Sequence, residues 1–243
     1  MDISGILQVV SNSKLIYPAE EKVRSTSIGS NEAFQELLKL SQEDPAAFWD
    51  RAARELDWYE PWNETISGQL PDFRFFSGGI SNPSVNLLDR HISNGAGNRT
   101  AYIWEGENGD TKFYTYNMLL AEVNRFANVL KSFGVKKGDC VAIFLPNLAE
   151  AIISVLACFR IGAIYNTIFS GYSEKSLADR LINFEPKVLI TADATERRGK
   201  LIRLKEKVDH VVPSIPSIEA VIVVDRLGSE VQMKDGRDYW WHE

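Results

Sequence analysis

The feature that most constrains the fold is the alternation of short apolar segments with amphipathic segments over residues 101–243. The apolar segments resemble buried strands, and the segments between them repeat apolar positions at helical spacing. The strands are predicted at 140–145, 163–169, 187–193 and 220–225, and the helices at 117–134, 147–162, 173–184 and 195–209. Alternating strands and helices form right-handed βαβ units. We therefore predict an α/β fold whose parallel sheet is covered by helices on both faces.

The N-terminal third has a different pattern. Residues 1–30 are polar and mixed, which predicts an extended or disordered arm. Helices are predicted at 31–42, 44–58 and 84–92, with an irregular aromatic-rich segment at 59–83 and a hairpin after residue 101. The second of these helices should begin with Asp44 as its cap and Pro45 at the first helical position. We thus predict a helical and irregular extension over 31–92, followed by the α/β domain over 93–243.

Composition excludes several classes of function. The net charge of −6 gives no reason to expect nucleic acid or an anionic membrane as a partner. No apolar run is long enough to span a bilayer, and the N-terminus lacks a signal-peptide pattern. Cys140 and Cys158 lie in apolar runs and are interpreted as buried small side chains, with no metal site expected. A reducing, cytoplasmic location fits best.

Cationic residues follow the predicted strand 187–193. Arg197, Arg198 and Lys200 would crowd the N-terminus of the predicted helix 195–209, where the helix dipole disfavours cations. A bound anion would remove this cost, and guanidinium groups bind phosphate well. The alternative interpretation is a solvated helix face, which charged runs often form.

A second candidate position follows the strand 163–169. Phe169, Ser170 and Gly171 lead into a helix that Ser173 can cap. This turn is either a plain helix cap or a small platform for an aromatic ring. The chain has no G-x-x-x-x-G-K-[ST] loop, no G-x-G-x-x-G motif and no recognisable triad or carboxylate pair. No catalytic residue is therefore assigned.

Many collinear stretches from residue 45 onward resemble one enzyme family. They include DPAAFWDRAARELDW, FANVLKSFGVKKGDCVAIFLPNLAEA, LACFRIGAIYNTIFSGYS, KVLITAD, RRGK and GRDYWWHE. The sequence resembles the N-terminal half of an AMP-forming acetyl-CoA synthetase, in the adenylate-forming superfamily. The resemblance implies an incomplete part of that superfamily's large N-terminal domain, separated from its C-terminal half. The final aromatic residues would then pack on the chain itself or be exposed.

The resemblance implies a two-step reaction in which a carboxylate and ATP give an acyl-adenylate, and CoA then displaces AMP. In this family Arg197, Gly199 and Lys200 match residues that bind CoA phosphates, and Phe169, Ser170 and Gly171 match residues that flank the CoA adenine. Arg198 lies beside the phosphates and, like Ser170, replaces a usual glycine. The ATP phosphate loop, the Mg²⁺ site and the catalytic lysine come later in the family, so this chain alone is expected to be inactive.

Two alternatives to a synthetase fragment remain open at this point. The chain could be a stand-alone CoA-binding module or one half of a split synthetase that pairs with the missing C-terminal half. It could also be an interaction protein whose cationic segment is only a solvated surface. The resemblance implies a small carboxylic acid as the substrate. Ser170 and Arg198 stand where the family usually has glycine, and Tyr165 stands where it usually has histidine, so the identity of the acid stays open.

Overall fold

A computed structural model describes residues 20–69 and 71–243. Within these residues the chain forms two compact units, 20–56 with 60–79 and 57–59 with 80–243. The arm predicted over 1–30 lies outside the described residues as far as residue 19. The prediction was wrong for residues 20–24 of this arm, because Glu20–Arg24 forms a short helix, α1.

The smaller unit is built from helices and one hairpin. Helix α2 (Asn31–Glu43) is capped by Ser30, and α3 (Pro45–Ala53) is capped by Asp44, as its sequence predicted. Strands β1 (Glu64–Ser67) and β2 (Arg74–Ser77) pair antiparallel inside the segment predicted to be irregular. Each strand has four residues, which is too short for an alternating pattern to be visible.

The larger unit begins with the predicted helix 84–92, which takes the form of two π-helical segments, Val85–Asp89 and Ile92–Ala96. The predicted hairpin follows as β3 (Thr100–Glu105) and β4 (Thr111–Thr115). The helix α4 (Tyr116–Ser132) then leads into the sheet, with Thr115 as its cap.

Five parallel strands form the central sheet, in the spatial order β11-β10-β7-β5-β6. These strands are β5 (Cys140–Phe144), β6 (Ile164–Thr167), β7 (Val188–Ala192), β10 (Ala220–Val224) and β11 (Asp238–Trp240). The helices that connect them are α5 (Ala149–Ile161), α6 (Glu174–Phe184) and α7 (Leu204–Val211). The prediction of a parallel sheet is confirmed. The chain leaves β5 toward β6 and then crosses back to β7, so the direction of strand addition reverses beside β5.

The core lies on both faces of the sheet. All residues of β7 and β10 are buried, which explains why their segments read as continuous apolar runs. Helices α4 and α5 pack together, as do α6 and α7. With right-handed crossovers, the two helix pairs cover opposite faces.

The aromatic residues near the end of the chain pack on the chain itself. The ring of Trp241 stacks on Phe126 of α4 at a centroid distance of 4.0 Å, and Tyr239 lies 4.7 Å from Phe133. Strand β11 thus extends the sheet beside β10, and the rings of Tyr239 and Trp241 attach this end of the chain to the C-terminal half of α4 and to Phe133, which directly follows it.

A buried ion network attaches β11 to α7. The Lys205 ammonium, which is fully buried, lies 2.6 Å from Asp209 and 2.8 Å from Asp238. Arg237 pairs with both of these aspartates. Burial alone raises the pKa of the Asp238 carboxyl, but hydrogen bonds from Arg237 and Lys205 more than offset this, and the pKa lies below its usual 3.8.

The predicted helix 195–209 was partly wrong. Residues 194–203 form the second hairpin of the larger unit, β8 (Ala194–Arg197) and β9 (Lys200–Arg203), and only the remainder is helical. Arg198 and Gly199 both have positive φ, +51° and +69°, as a two-residue hairpin turn of type I′ requires. Since glycine is also a poor helix former, the charged run turns back as a hairpin instead of starting a helix.

Replacing Asp238 with Asn should lower the free energy of unfolding by about 3 kcal/mol at pH 7, because the buried Lys205 ammonium and the partly buried Arg237 guanidinium lose a carboxylate partner. Since the pKa of Asp238 is lowered in the folded state, its contribution is complete above the unfolded pKa near 3.8 and is lost as pH falls through the lower folded value. The difference between the two proteins should therefore shrink below about pH 3.8.

Urea unfolding at several pH values measures this difference. Asp235→Asn is the matched control, since Asp235 is exposed in the same segment, and it should change stability by less than about 0.5 kcal/mol. Equal effects of the two substitutions at pH 7 would show that the network does not hold β11.

Candidate functional site

A cleft of about 260 Å³ lies at the carboxyl edge of the parallel sheet. Four of the segments that line it follow strands of the sheet, namely residues 146–148, 169–170, 195–197 and 226–227. The fifth segment, residues 104–108, belongs to the hairpin β3–β4. The cleft is thus built by the loops that leave β5, β6, β7 and β10.

This location has a topological cause. The chain leaves β5 in one direction to form β6 and in the other to form β7. The loops that follow β5 and β7 therefore diverge, and a crevice opens beyond the strand ends, which is where open α/β sheets bind ligands. The sequence predicted a ligand site beyond the two strands that precede Phe169 and Arg197, and the structure adds the loops after β5 and β10.

A buried carboxylate fixes one wall of the cleft. Asp193, directly after β7, accepts hydrogen bonds from the backbone N–H groups of Arg226 (2.9 Å), Leu227 (3.0 Å) and Ser229 (2.8 Å). Its side chain is almost completely buried. These three bonds hold the loop after β10 against the end of β7.

Phe169 and Arg197 meet at the cleft. The ring of Phe169 is half exposed, and the Arg197 guanidinium carbon lies 5.1 Å from its centroid, which is a cation–π geometry. Gly171 adjoins both residues. A Cβ at this position would lie 2.5 Å from the Phe169 ring and 3.3 Å from the Arg197 guanidinium, so a side chain there would displace them.

The other predicted cations lie on the second hairpin. Lys200 pairs directly with Arg197 across the hairpin, so both side chains project from one face. Like charges opposite each other destabilise a hairpin, and an anion bound between them would relieve this repulsion. Arg198 and Gly199 form the turn, and the Arg198 N–H donates a hydrogen bond to Glu107 (3.1 Å).

The structure therefore brings together only some of the predicted residues. Phe169, Ser170 and Arg197 line the cleft, whereas Arg198, Gly199 and Lys200 lie at the hairpin turn and do not. The expected helix N-terminus was wrong, since α7 begins only at Leu204. Any anion near Arg197 and Lys200 would therefore be bound by side chains of a hairpin and not by a helix dipole.

Sequence reasoning missed several residues of the cleft. Trp104 is buried and donates its indole N–H to the Asn147 carbonyl at 2.6 Å, while the Arg226 guanidinium lies 4.9 Å from its ring. Three acidic residues, Glu105, Glu107 and Glu196, also belong to the lining. The cationic run after β7, which includes Glu196, was visible in the sequence, but Glu105 and Glu107 on the neighbouring hairpin carried no such signal.

Family comparisons agree with this architecture. The model described as "AMP-binding enzyme" matches residues 88–242, which is more than half of the chain. The chain belongs to this family. A second model, "Acetyl-coenzyme A synthetase N-terminus", matches residues 34–87, and the resemblance stated from the sequence is therefore confirmed.

Similar proteins support the same assignment. The acetyl-coenzyme A synthetase of Gemmatimonas aurantiaca is 42% identical over 99% of this chain and 37% of its own length. The acetyl-coenzyme A synthetase of Rubrobacter xylanophilus is 44% identical over 93% of this chain and 35% of its own length. A 3-hydroxypropionyl-coenzyme A synthetase of Metallosphaera sedula is 45% identical over 86% of this chain and 32% of its own length. The chain thus spans about a third of the length of these curated relatives.

One solved structure confirms the fold. Acetoacetyl-CoA synthetase from Streptomyces lividans superposes with a TM-score of 0.78 at 24% identity, over 91% of this chain and 34% of the other. The predicted fold, a parallel βαβ sheet belonging to the acyl-CoA synthetase N-terminal domain, is therefore correct.

The turn of the second hairpin yields a stability prediction. An arginine with φ +51° occupies a conformation that costs a non-glycine residue roughly 1–2 kcal/mol, and asparagine tolerates it better. Arg198→Asn should therefore raise the free energy of unfolding by about 0.5–1 kcal/mol in urea titrations. Arg74→Asn is the control, because Arg74 is an exposed arginine in the strand β2 without a positive φ, and it should not gain stability. A loss of stability in Arg198→Asn would contradict the turn assignment.

Proposed function

We propose that this chain supplies the CoA nucleotide-binding part of an AMP-forming acyl-CoA synthetase. The complete enzyme would join a small carboxylic acid, such as acetate, to CoA through an acyl-adenylate, with AMP and pyrophosphate as products. The observation that carries the proposal is the contact of Phe169 with Arg197 at the strand-reversal cleft. Membership in the AMP-binding family and the printed names of the relatives support the reaction class.

The proposed roles follow from the side chains. Phe169 offers a half-exposed ring, and Ser170 and Gly171 offer little side-chain bulk, so this segment suits the flat adenine ring. Arg197 and Lys200 share one face of the hairpin and would bind phosphate groups, with Arg198 and Gly199 forming the turn beside them. These residues bind and orient CoA, and none is assigned a bond-making role.

The acidic residues of the cleft fit the same ligand. Carboxylates repel phosphate but accept hydrogen bonds from an exocyclic amino group. With Glu105, Glu107 and Glu196 in its lining, the cleft suits the adenine base, while the diphosphate would lie on the hairpin face that carries Lys200.

ATP and Mg²⁺ are proposed only for the complete enzyme. The sequence contains no glycine-rich ATP phosphate loop, and no group of three potential ligands in residues 20–69 and 71–243 could hold a metal ion. The partner proposed for this chain is the remainder of a full-length synthetase.

A cytoplasmic location is proposed on cysteine chemistry. Cys140 and Cys158 are both free, and burial raises the pKa of the Cys158 thiol to about 12, which makes it unreactive. In the described part of the chain, no helix has both the length and the apolar character needed to cross a bilayer.

Calorimetric titration of CoA against dephospho-CoA tests the proposed site. Each charge-assisted contact contributes about 1.5–3 kcal/mol, so Arg197→Ala should weaken CoA binding at least ~10-fold. Dephospho-CoA should bind the unmodified chain more weakly than CoA.

The matched control is Arg125→Ala, which removes an exposed guanidinium on α4 that pairs only locally with Glu122. It should leave CoA affinity unchanged. Equal affinities of the unmodified chain for CoA and dephospho-CoA would refute the phosphate-binding role.

The purified 243-residue chain should not catalyse acetate-dependent exchange of pyrophosphate into ATP, because it has no loop to bind the ATP phosphates. A full-length relative assayed in parallel serves as the positive control. Exchange by the chain above the no-enzyme background would favour a self-sufficient enzyme over a CoA-binding part.

A further inference from the structure

A second guanidinium lines the cleft from a different strand. Arg226 follows β10 (Ala220–Val224), whereas Arg197 ends β8. Both residues belong to the lining of the same cleft. Two arginines from separate elements thus line one space of about 260 Å³.

The position of Arg226 is fixed at its backbone and its side chain. Its N–H donates a hydrogen bond to the buried Asp193 carboxylate, and its guanidinium carbon lies 4.9 Å from the centroid of Trp104. A Cβ at Gly106 would lie 2.8 Å from Trp104 and 3.0 Å from the Arg226 guanidinium. The absence of a side chain at Gly106 therefore lets the guanidinium pack closely against the hairpin.

The present polar contacts of Arg226 are long. Its guanidinium lies 3.6 Å from Asp110, whose side chain is 55% exposed, and 3.5 Å from the Asn108 side-chain oxygen. Exposed ion pairs of this kind contribute little free energy. Because a guanidinium carries five N–H donors, Arg226 keeps donors for a stronger acceptor.

Arg226 adds a second cation to the lining of the cleft. The lining also contains three acidic residues, Glu105, Glu107 and Glu196, so its formal charge is −2 with Arg197 alone (one arginine against three glutamates) and −1 with both arginines. The second guanidinium therefore reduces the repulsion that a doubly charged phosphate would meet. Two guanidinium groups on different walls of the cleft suit a phosphate monoester, which offers three oxygens.

We propose that Arg226 binds the 3′-phosphate of CoA together with Arg197 and so lets the site distinguish CoA from dephospho-CoA. The proposal rests on the proposed function, because it needs the adenosine end of CoA in this cleft. It adds a specificity-determining residue to the cations of the hairpin. The phosphate would replace the long contact of this guanidinium with Asp110.

The test compares Arg226→Gln with the unmodified chain in titrations of CoA and dephospho-CoA. The substitution should weaken CoA binding ~10-fold and leave dephospho-CoA binding unchanged within about twofold. Arg125→Gln is the matched control and should change neither affinity.

The possible results distinguish failure of this inference from failure of the proposed CoA-binding function. If the unmodified chain prefers CoA and Arg226→Gln keeps that preference, the inference is overturned and the proposed function stands. A parallel loss for both ligands also overturns it. If the unmodified chain binds both ligands equally, the phosphate site itself is wrong. If Arg226→Gln does not fold, Arg226→Lys is tested in its place. Arg226→Lys should weaken CoA binding by a smaller factor and leave dephospho-CoA binding unchanged. An unchanged affinity for CoA would overturn the inference.

Discussion

The buried carboxylate of Asp193 is the interaction on which the cleft depends. It accepts three backbone N–H groups from residues 226–229, while its own carbonyl accepts the N–H groups of Leu204 (3.1 Å) and Lys205 (3.2 Å). Its N–H donates to Val224 (3.0 Å). A buried carboxylate is costly without such partners. One residue therefore joins the ends of β7 and β10 to the start of α7, and this junction sets the positions of Arg197 and Arg226.

The chemistry follows from strand order as much as from side chains. Phe169, Arg197 and Arg226 are far apart in sequence, and they meet because parallel strands deliver their carboxyl ends to one edge of the sheet. The reversal beside β5 opens the space between these loops. A cation, an aromatic ring and a group of carboxylates can therefore act on one ligand without any contiguous motif.

The sequence predicted the features that depend on periodicity. Apolar runs identified β5, β7 and β10, and Asp44 with Pro45 marked the start of α3. The hairpin 194–203 was missed because a two-residue turn at Arg198 and Gly199 depends on positive φ values, which a charged run conceals. Arg226 and Trp104 were missed because each is a single residue whose role appears only when distant loops converge.

The proposed function places the nucleotide end of CoA in the cleft between the loops after β6, β7 and β10. Backbone amide chemical shifts, followed during titration with CoA, report where the ligand binds. The largest changes are expected at residues 169–171, 195–200 and 226–229, and the smaller unit should be unaffected. Changes concentrated elsewhere, or none at millimolar CoA, would contradict this placement.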